Sequence, residues 1–510
     1  MSQTSESLPP SSEPVRRPMI DFPAPPTTVQ TASVTTPLSP QQISPQQISP
    51  HLADPAAPAD PAAPAAREAP PGPAPGAGAG TPSHTGTPPA GRPQAHAGAG
   101  IRHVLARPYG VMAEMDHMRR QSPFYDSRVD EIDGRRIRIG DRWLIDFASC
   151  NYLGFDLDRE IIESVPEYLD LWGTHPSWSR IIANPRLFVE IEETLADLLG
   201  APDTLLLPTI SHIHLSVLPA LVGQGTLFVE LHAHSSVHDG ATMALGRGAT
   251  VRRFREDRLD RLERRLRACT AYPRVVAIDG VNSMTGNGPP LAELLELVRA
   301  YEAVLYVDDA HGFGVIGERA PDEPTPYGLR GNGIVRHLGQ SYDDLILVGG
   351  FSKSYSSLLA FATCPTELKD FLKTMANPYI FSGPPPVASL ATAQVGLRVN
   401  AERGERARVA LYGLTARLLA GIRALGLTTL NTSGYPIIEI PLTDPARADA
   451  LGAFLYERGI YVTVAPFPLV PREQVGVRIQ VTAANTDAEI DTLLDVLDAA
   501  ARRFPLARIG

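Results

Sequence analysis

Short apolar runs alternate with amphipathic segments along the chain from about residue 188. The amphipathic segments repeat apolar residues every three or four positions, which predicts helices near 188–199, 211–222, 257–268 and 290–301. The apolar runs have the length of buried strands, at 204–208, 226–230, 274–279, 304–308 and 345–348. This alternation predicts an α/β fold, a mostly parallel sheet with helices on both faces. Ligands of such sheets bind at the carboxyl ends of the strands.

Other patterns flank this region. Residues 128–149 alternate around Asp133-Gly134, which predicts a short hairpin. From about Ala393 the chain predicts a helix, strands at 434–442, 461–466 and 477–484, and a terminal amphipathic helix at 487–503. The C-terminal part, 393–510, is therefore expected to be a smaller α+β domain.

The first hundred residues have a different composition. They hold 23 of the 49 prolines and the near-repeat SPQQISPQQISP. Such a segment buries too little apolar surface to offset the entropy of ordering it, so 1–100 is predicted to be a disordered tail. A docking arm for a partner is the alternative, and no motif supports it.

Charge and targeting signals exclude several classes of protein. With 46 basic and 56 acidic residues the net charge is −10, which disfavours a nucleic-acid or anionic-membrane surface. The Arg-rich stretch 252–267 has helical spacing and is interpreted as a solvated helix face. The N-terminus lacks a signal pattern and no run of about 18 apolar residues occurs, so a cytoplasmic protein without a membrane span is expected. Three widely spaced cysteines argue against disulfides and a zinc site.

Lys353 is the first candidate for chemistry. It follows the apolar run 345–348 and two glycines, and serines, Ser352 among them, lie on either side of it. An amine held in this way can form a Schiff base with an aldehyde cofactor. A solvated lysine at a strand end is the commoner explanation of such a residue.

A second candidate stretch begins where the run 304–308 ends. Asp308 there could pair with a protonated ring nitrogen, and His311 could reach a ring hydroxyl. The alternatives are a helix cap or turn for Asp308 and a turn histidine for His311. The two stretches together favour pyridoxal 5'-phosphate as a cofactor.

Seven motifs occur in a recognisable order: NYLG at 151–154, HSSVHDG at 234–240, NSMTG at 282–286, VDDAHGFGVIG at 307–317, GNGIVRHLG at 331–339, FSK at 351–353 and RIQVTAA at 478–484. In these the chain resembles the α-oxoamine synthase family, pyridoxal-phosphate enzymes of fold type I. The resemblance covers the chain from Asn151 onwards. It implies an N-terminal segment at 101–150, a large cofactor-binding domain at 151–392 and the small domain at 393–510.

The resemblance also implies roles around the cofactor ring. Lys353 would hold the cofactor and act as a base, and Asp308 would pair with the ring nitrogen. His311 and Ser283 would bind the ring hydroxyl, and His234 would stack on the ring. A metal site formed by the histidines at 232, 234 and 238 is the rival for His234, although no carboxylate cluster accompanies it.

The phosphate of the cofactor has candidate ligands of its own. Residues 208–211 follow a strand and open a helix, so the backbone at Thr209 and Ile210 offers free N–H groups. Ser352, beside the Lys353 amine, is a further cofactor-binding candidate. Ser382 resembles the residue that reaches the phosphate site of a neighbouring subunit, which implies a homodimer with a shared active site.

Two residues are candidates for the substrate. Arg478 matches the family arginine that binds the amino-acid carboxylate, and Asn151 matches a residue that lines the substrate site. A surface arginine on an edge strand and a turn asparagine are the alternatives. The chain departs from the family at the acyl end, where THPSWSR at 174–180 replaces a glycine-rich segment and Gly350 replaces a threonine.

The resemblance implies a decarboxylative condensation of an amino acid with an acyl thioester, carried by CoA or by an acyl-carrier protein, to an α-aminoketone. An aminotransferase or another pyridoxal-phosphate enzyme is one alternative. A non-catalytic scaffold subunit is another, which Lys353 disfavours.

Overall fold

The computed structural model describes residues 99–106 and 113–509. The predicted disordered tail lies outside these residues except for its last two positions, so it stays a prediction. The helices are α1 Ala99–Leu105, α2 Ala113–Gln121, α3 Arg159–Trp172, α4 Arg186–Leu199, α5 Ile210–Val222, α6 Ser235–Gly246, α7 Leu259–Ala268, α8 Leu291–Ala300, α9 Gly333–His337, α10 Thr366–Met375, α11 Asn377–Ile380, α12 Val387–Ala424, α13 Ala448–Glu457 and α14 Asp487–Ala501. The strands are β1 Glu131–Asp133, β2 Arg136–Ile139, β3 Arg142–Asp146, β4 Thr204–Leu207, β5 Thr226–Glu230, β6 Thr250–Phe254, β7 Arg274–Asp279, β8 Val304–Asp308, β9 Leu345–Gly350, β10 Ala360–Thr363, β11 Ile437–Pro441, β12 Ile460–Tyr461, β13 Thr463–Ala465 and β14 Gly476–Gln480.

A seven-stranded sheet forms the centre of the fold, in the order β4-β10-β9-β8-β7-β5-β6. Strand β10 pairs antiparallel with β4 and β9, and the other neighbouring pairs are parallel. The predicted mostly parallel sheet is confirmed. All five predicted strands of this region are present.

Alternate residues of each central strand enter two separate cores. In β8, Leu305 and Val307 pack into a core with α4, α7, α8 and α12, whereas Tyr306 packs into a second core with α5, α6 and α10. Because successive side chains of a strand point to opposite faces, helices cover both faces of the sheet, as predicted.

The Arg-rich stretch 252–267 was wrongly interpreted as one helix. Residues 250–254 form β6, and α7 begins only at Leu259. Strand β6 lies at the edge of the sheet, where Arg252 and Arg253 are exposed. A charged edge strand carries little apolar periodicity, which explains the error.

The N-terminal hairpin is confirmed and is larger than predicted. Gly134 turns the chain between β1 and β2 with a φ of 59°, and β3 then adds a third antiparallel strand. The short strand β12 joins β3 in parallel. This four-stranded sheet therefore connects the N-terminal segment with the C-terminal part of the chain.

The C-terminal sheet has the order β11-β14-β13 and is antiparallel. Helix α13 packs on β13 and β14, and α14 packs on α12 and α13. The boundary expected between residues 392 and 393 falls inside the 38-residue helix α12. In the described part of the chain, no helix has the length and apolar character needed to cross a membrane.

Candidate active site

A cavity of about 170 Å³ opens at the carboxyl edge of the seven-stranded sheet. Its lining comes from residues at or just after the ends of β4, β5, β7, β8 and β9. Eight of the predicted site residues line it: Lys353, Asp308, His311, His234, Ser283, Thr209, Ile210 and Ser352. The structure thus brings together side chains that are up to 144 positions apart in the sequence, from 209 to 353.

Lys353 stands on a tight turn after β9. Ser356 N–H donates to the Lys353 carbonyl at 3.1 Å, and Ser357 N–H donates to the Phe351 carbonyl at 3.0 Å. A Cβ built on Gly350 would lie 2.5 Å from Ile210 Cδ1. The glycine at 350 therefore makes room for the first residue of α5, which explains physically why a larger residue is absent there.

Asp308 is held by a histidine that the sequence interpretation missed. His214 Nε2 lies 2.9 Å from Asp308 Oδ2, and His214 Nδ1 lies 2.8 Å from the Tyr306 hydroxyl. Burial acts to raise the pKa of Asp308, but its interactions with His214 and Lys353 outweigh burial and lower the pKa to about 2. The carboxyl group therefore stays ionised at neutral pH.

His311 is buried beside Asp308 and contacts Tyr152. The Tyr152 hydroxyl lies 2.7 Å from His311 Nδ1. Burial, the charge of Lys353 and the charge of Arg478 lower the pKa of His311 well below its ordinary value. The imidazole is therefore neutral and can take part in hydrogen bonds without adding a charge to the cavity.

His234 caps the start of α6. Its Nδ1 lies 2.7 Å from Ser236 Oγ, and its backbone N–H donates to Asp279 Oδ1 at 3.0 Å. Ser283 lies in the next turn, where Asn282 Oδ1 accepts hydrogen bonds from two following backbone N–H groups. Asp279, a cavity residue that the sequence interpretation missed, thus positions the backbone of His234.

The start of α5 forms the opposite wall. Thr209 is its N-cap and accepts a hydrogen bond from His212 N–H at 3.2 Å. The N–H groups of Ile210 and Ser211 have no acceptor within the helix, because the first turn lacks preceding carbonyls. An anion would be stabilised at this end of the helix.

Three predicted residues do not line the cavity. Arg478 lies on β14 and is 9% exposed; its charge acts on His311. The Asn151 carbonyl accepts a hydrogen bond from Gly154 N–H. Ser382 Oγ donates to the Gly383 carbonyl at 3.0 Å. Their roles stay predictions.

The rival metal site is not supported. Among residues 99–106 and 113–509, no group of three or more His, Cys, Asp or Glu side chains could hold a metal ion.

Comparisons with known proteins give the family. Residues 144–497 match the aminotransferase class I and II family. A putative 8-amino-7-oxononanoate synthase of Desulforudis audaxviator is 34% identical over 69% of this chain and 88% of that protein. The 8-amino-7-oxononanoate synthase of Ectopseudomonas mendocina is 34% identical over 71% of this chain and 90% of its own length. The chain belongs to the aminotransferase class I and II family and, within it, to the α-oxoamine synthases.

Solved structures agree with this assignment. A serine palmitoyltransferase from S. paucimobilis with bound PLP and myriocin has a TM-score of 0.70 and 25% identity, covering 77% of this chain and 97% of that one. The serine palmitoyltransferase of Sphingomonas wittichii has a TM-score of 0.70 and 25% identity, covering 80% of this chain and 98% of that one. The α-oxoamine synthase described here therefore has the fold type I architecture that the motifs implied.

Pyridoxal 5'-phosphate is the cofactor of this family, and the cavity of this α-oxoamine synthase has the groups that it needs. Lys353 supplies an amine and Asp308 an ionised carboxylate in the same cavity. The N-terminus of α5 supplies unpaired N–H groups for a phosphate. These three groups therefore suit the aldehyde, the ring nitrogen and the phosphate of the cofactor.

Proposed function

We propose that this α-oxoamine synthase condenses an amino acid with an acyl thioester to an α-aminoketone. A bond forms between Cα of the amino acid and the carbonyl carbon of the thioester. The C–S bond and the bond from Cα to the carboxylate break, releasing a thiol and CO2, and solvent supplies one proton in the net reaction. CoA and an acyl-carrier protein are both candidate carriers of the acyl group.

The bound cofactor supplies an electron sink that lets Cα of the amino acid lose its proton and act as a nucleophile. Lys353 would hold the cofactor and then take the Cα proton on Nζ. Asp308 would pair with the ring nitrogen. His311 and Ser283 would form hydrogen bonds with the ring hydroxyl, and His234 would stack on the ring.

Further residues are proposed to bind the cofactor phosphate and the amino-acid substrate. The N–H groups at Thr209 and Ile210 and the hydroxyl of Ser352 would bind the cofactor phosphate. Arg478 binds the amino-acid carboxylate through a charge-assisted pair, and Asn151 lines the amino-acid site.

The observation that carries this proposal is the meeting of Lys353, Asp308, His311 and His234 in one cavity. These residues would also serve an aminotransferase, so the condensation rests on the relatives' named activities. A scaffold subunit is disfavoured because Lys353 lines the cavity and Asp308 is kept ionised there.

We also propose that the enzyme is a cytoplasmic homodimer in which Ser382 of a second copy completes the phosphate site. Two neighbouring segments, 175–182 and 381–384, support this proposal. They contact each other where His175 Nε2 lies 2.8 Å from the Pro384 carbonyl oxygen. They expose Ile182 at 76% and Phe381 at 81%. Exposed apolar side chains of this size are typical of surfaces that a partner covers.

The proposal is tested by product balance. The purified protein is supplied with pyridoxal phosphate, single amino acids and a series of acyl-CoA thioesters, and free thiol, CO2 and aminoketone are measured. Condensation gives the three products in equal amounts. Transfer of the amino group to a 2-oxo acid, without thiol release, would indicate an aminotransferase instead.

A matched pair of variants locates the activity. Lys353→Ala should abolish product formation, whereas Lys373→Ala should keep it, because Lys373 pairs with Asp370 on the surface helix α10.

A further inference from the structure

Glu439, in the middle of β11, is a buried carboxyl group without a hydrogen-bond partner in the described part of the chain. The residue is 0% exposed, and neither carboxylate oxygen has a hydrogen-bond partner among the residues that the structure describes. Burying a carboxyl group in this way costs free energy, since its hydrogen bonds to water are lost and not replaced. A buried polar group of this kind therefore calls for a ligand or a role.

Its neighbour across the sheet is Arg478. The antiparallel register of β11 and β14 places Glu439 directly opposite Arg478, so both side chains leave the same face of the sheet. Arg478 Nε also has no hydrogen-bond partner in the described part of the chain. Two unpartnered polar groups thus lie side by side.

This face of the sheet is linked to the cavity wall through Gln480 and Tyr152. Ile437, on the same face, lies close enough to Gly286 that a Cβ built there would be 3.1 Å from Ile437 Cβ. Gln480, also on this face, accepts a hydrogen bond from the Tyr152 hydroxyl at 3.4 Å. That hydroxyl lies 2.7 Å from His311 Nδ1 in the cavity wall.

We infer that Glu439 is a second carboxylate-binding residue, which donates its carboxyl hydrogen to the substrate carboxylate that Arg478 binds. This inference rests on the proposed function of Arg478. A carboxylate has about four lone-pair sites, and the guanidinium fork of an arginine uses only two of them. An un-ionised carboxyl group beside the arginine can fill a third, and binding then gives a partner to the protonated oxygen of Glu439 and to the Arg478 guanidinium.

The ionisation of Glu439 agrees with a donor role. Burial raises the pKa of Glu439 to about 8, although the charge of Arg478 acts in the opposite direction. Arg472 and Glu473, in the turn that packs on β11, are exposed, and Thr463 flanks Arg478 from β13 without a charge. At neutral pH Glu439 is therefore the protonated donor, and above pH 8 its negative charge would repel a substrate carboxylate.

The test compares the parent with Glu439→Gln and Glu439→Leu. The glutamine keeps a donor but cannot ionise, and the leucine has no donor. Glycine, alanine and serine are titrated into the cofactor-loaded protein between pH 6 and 9.5, with the visible absorbance as readout. Calorimetry in two buffers of different ionisation enthalpy counts the protons exchanged on binding.

We expect the affinity of the parent, relative to Glu439→Gln, to fall up to about tenfold per pH unit above pH 8, since the ionised carboxylate must regain a proton on binding. Glu439→Leu should bind at least about tenfold more weakly than the parent at pH 7. Glu473→Gln, which changes an exposed glutamate in the neighbouring turn, should follow the parent. The calorimetric proton uptake above pH 8 should appear in the parent and vanish in Glu439→Gln.

If Glu439→Gln showed the same pH dependence of affinity and the same proton uptake as the parent, the proposed role of Glu439 would be wrong. The proposed function would still stand. A parent that binds neither these amino acids nor any other proteinogenic amino acid at any pH would overturn both this role and the proposed function.

Discussion

His214 Nε2 lies 2.9 Å from Asp308 Oδ2, and both side chains are buried. This contact fixes the carboxylate that is proposed to face the cofactor ring, and the Tyr306 hydroxyl fixes the histidine in turn. The acidic group of the site is therefore positioned by residues of α5 and β8 that do not line the cavity themselves.

Replacing His214 by leucine should weaken the site without removing Asp308. The buried carboxylate loses a hydrogen bond worth about 1–3 kcal/mol, its pKa rises, and turnover should fall roughly 10- to 100-fold. The cofactor dissociation constant is measured beside turnover. His212→Leu is the control, because His212 is exposed on the same helix. Unchanged turnover and cofactor affinity in His214→Leu would contradict this role.

Glu439 gives a prediction about stability as well as binding. Its pKa of about 8 in the folded protein lies above the ordinary glutamate value of 4.5. Between pH 4.5 and pH 8, Glu439 is therefore protonated in the folded protein but ionised in the unfolded chain. As the pH rises through this range, Glu439 lowers the free energy of unfolding by a growing amount. At pH 7 the cost is on the order of 3 kcal/mol.

Glu439→Gln should therefore gain unfolding free energy relative to the parent as the pH rises, and the difference should vanish below pH 4.5. Denaturant unfolding at pH 4.5, 6 and 8 measures it. A difference that stays constant across this range would show that Glu439 does not titrate in this window.

Substitutions of Asp308 and Arg478 should affect different steps. Asp308→Asn removes the charge beside the ring nitrogen, so turnover should fall steeply while amino-acid affinity changes little. Arg478→Ala removes a pair worth roughly 2–5 kcal/mol when buried, so amino-acid affinity should collapse while the cofactor stays bound. Spectral titration with amino acids measures both. If Arg478→Ala titrates like the parent, another residue holds the carboxylate.

Much of the fold could be predicted because its strands are fully buried. The runs at 274–279 and 304–308 match β7 and β8 residue for residue. Strand β6 was missed because an edge strand needs few apolar residues. Its exposed arginines, Arg252 and Arg253, match the charged pattern of a solvent-exposed helix face.

The candidate site was predicted where local motifs carry the chemistry, as at Lys353 and Asp308. His214 was missed because a single histidine in an apolar segment is usually a core residue. Its place on the stripe of Ile210, Ile213 and Val217 was the available signal. The pairing of Glu439 with Arg478 depends on strand register, which joins residues 39 positions apart, 439 and 478.

The most direct test of the central claim is exchange of the Cα proton of a bound amino acid with deuterium, followed by NMR. The parent should exchange the proton of a substrate amino acid, Lys373→Ala should match it, and Lys353→Ala and Asp308→Asn should lose almost all exchange. Exchange at the parent rate in Lys353→Ala would contradict the assignment of this cavity as the site where the amino acid is activated.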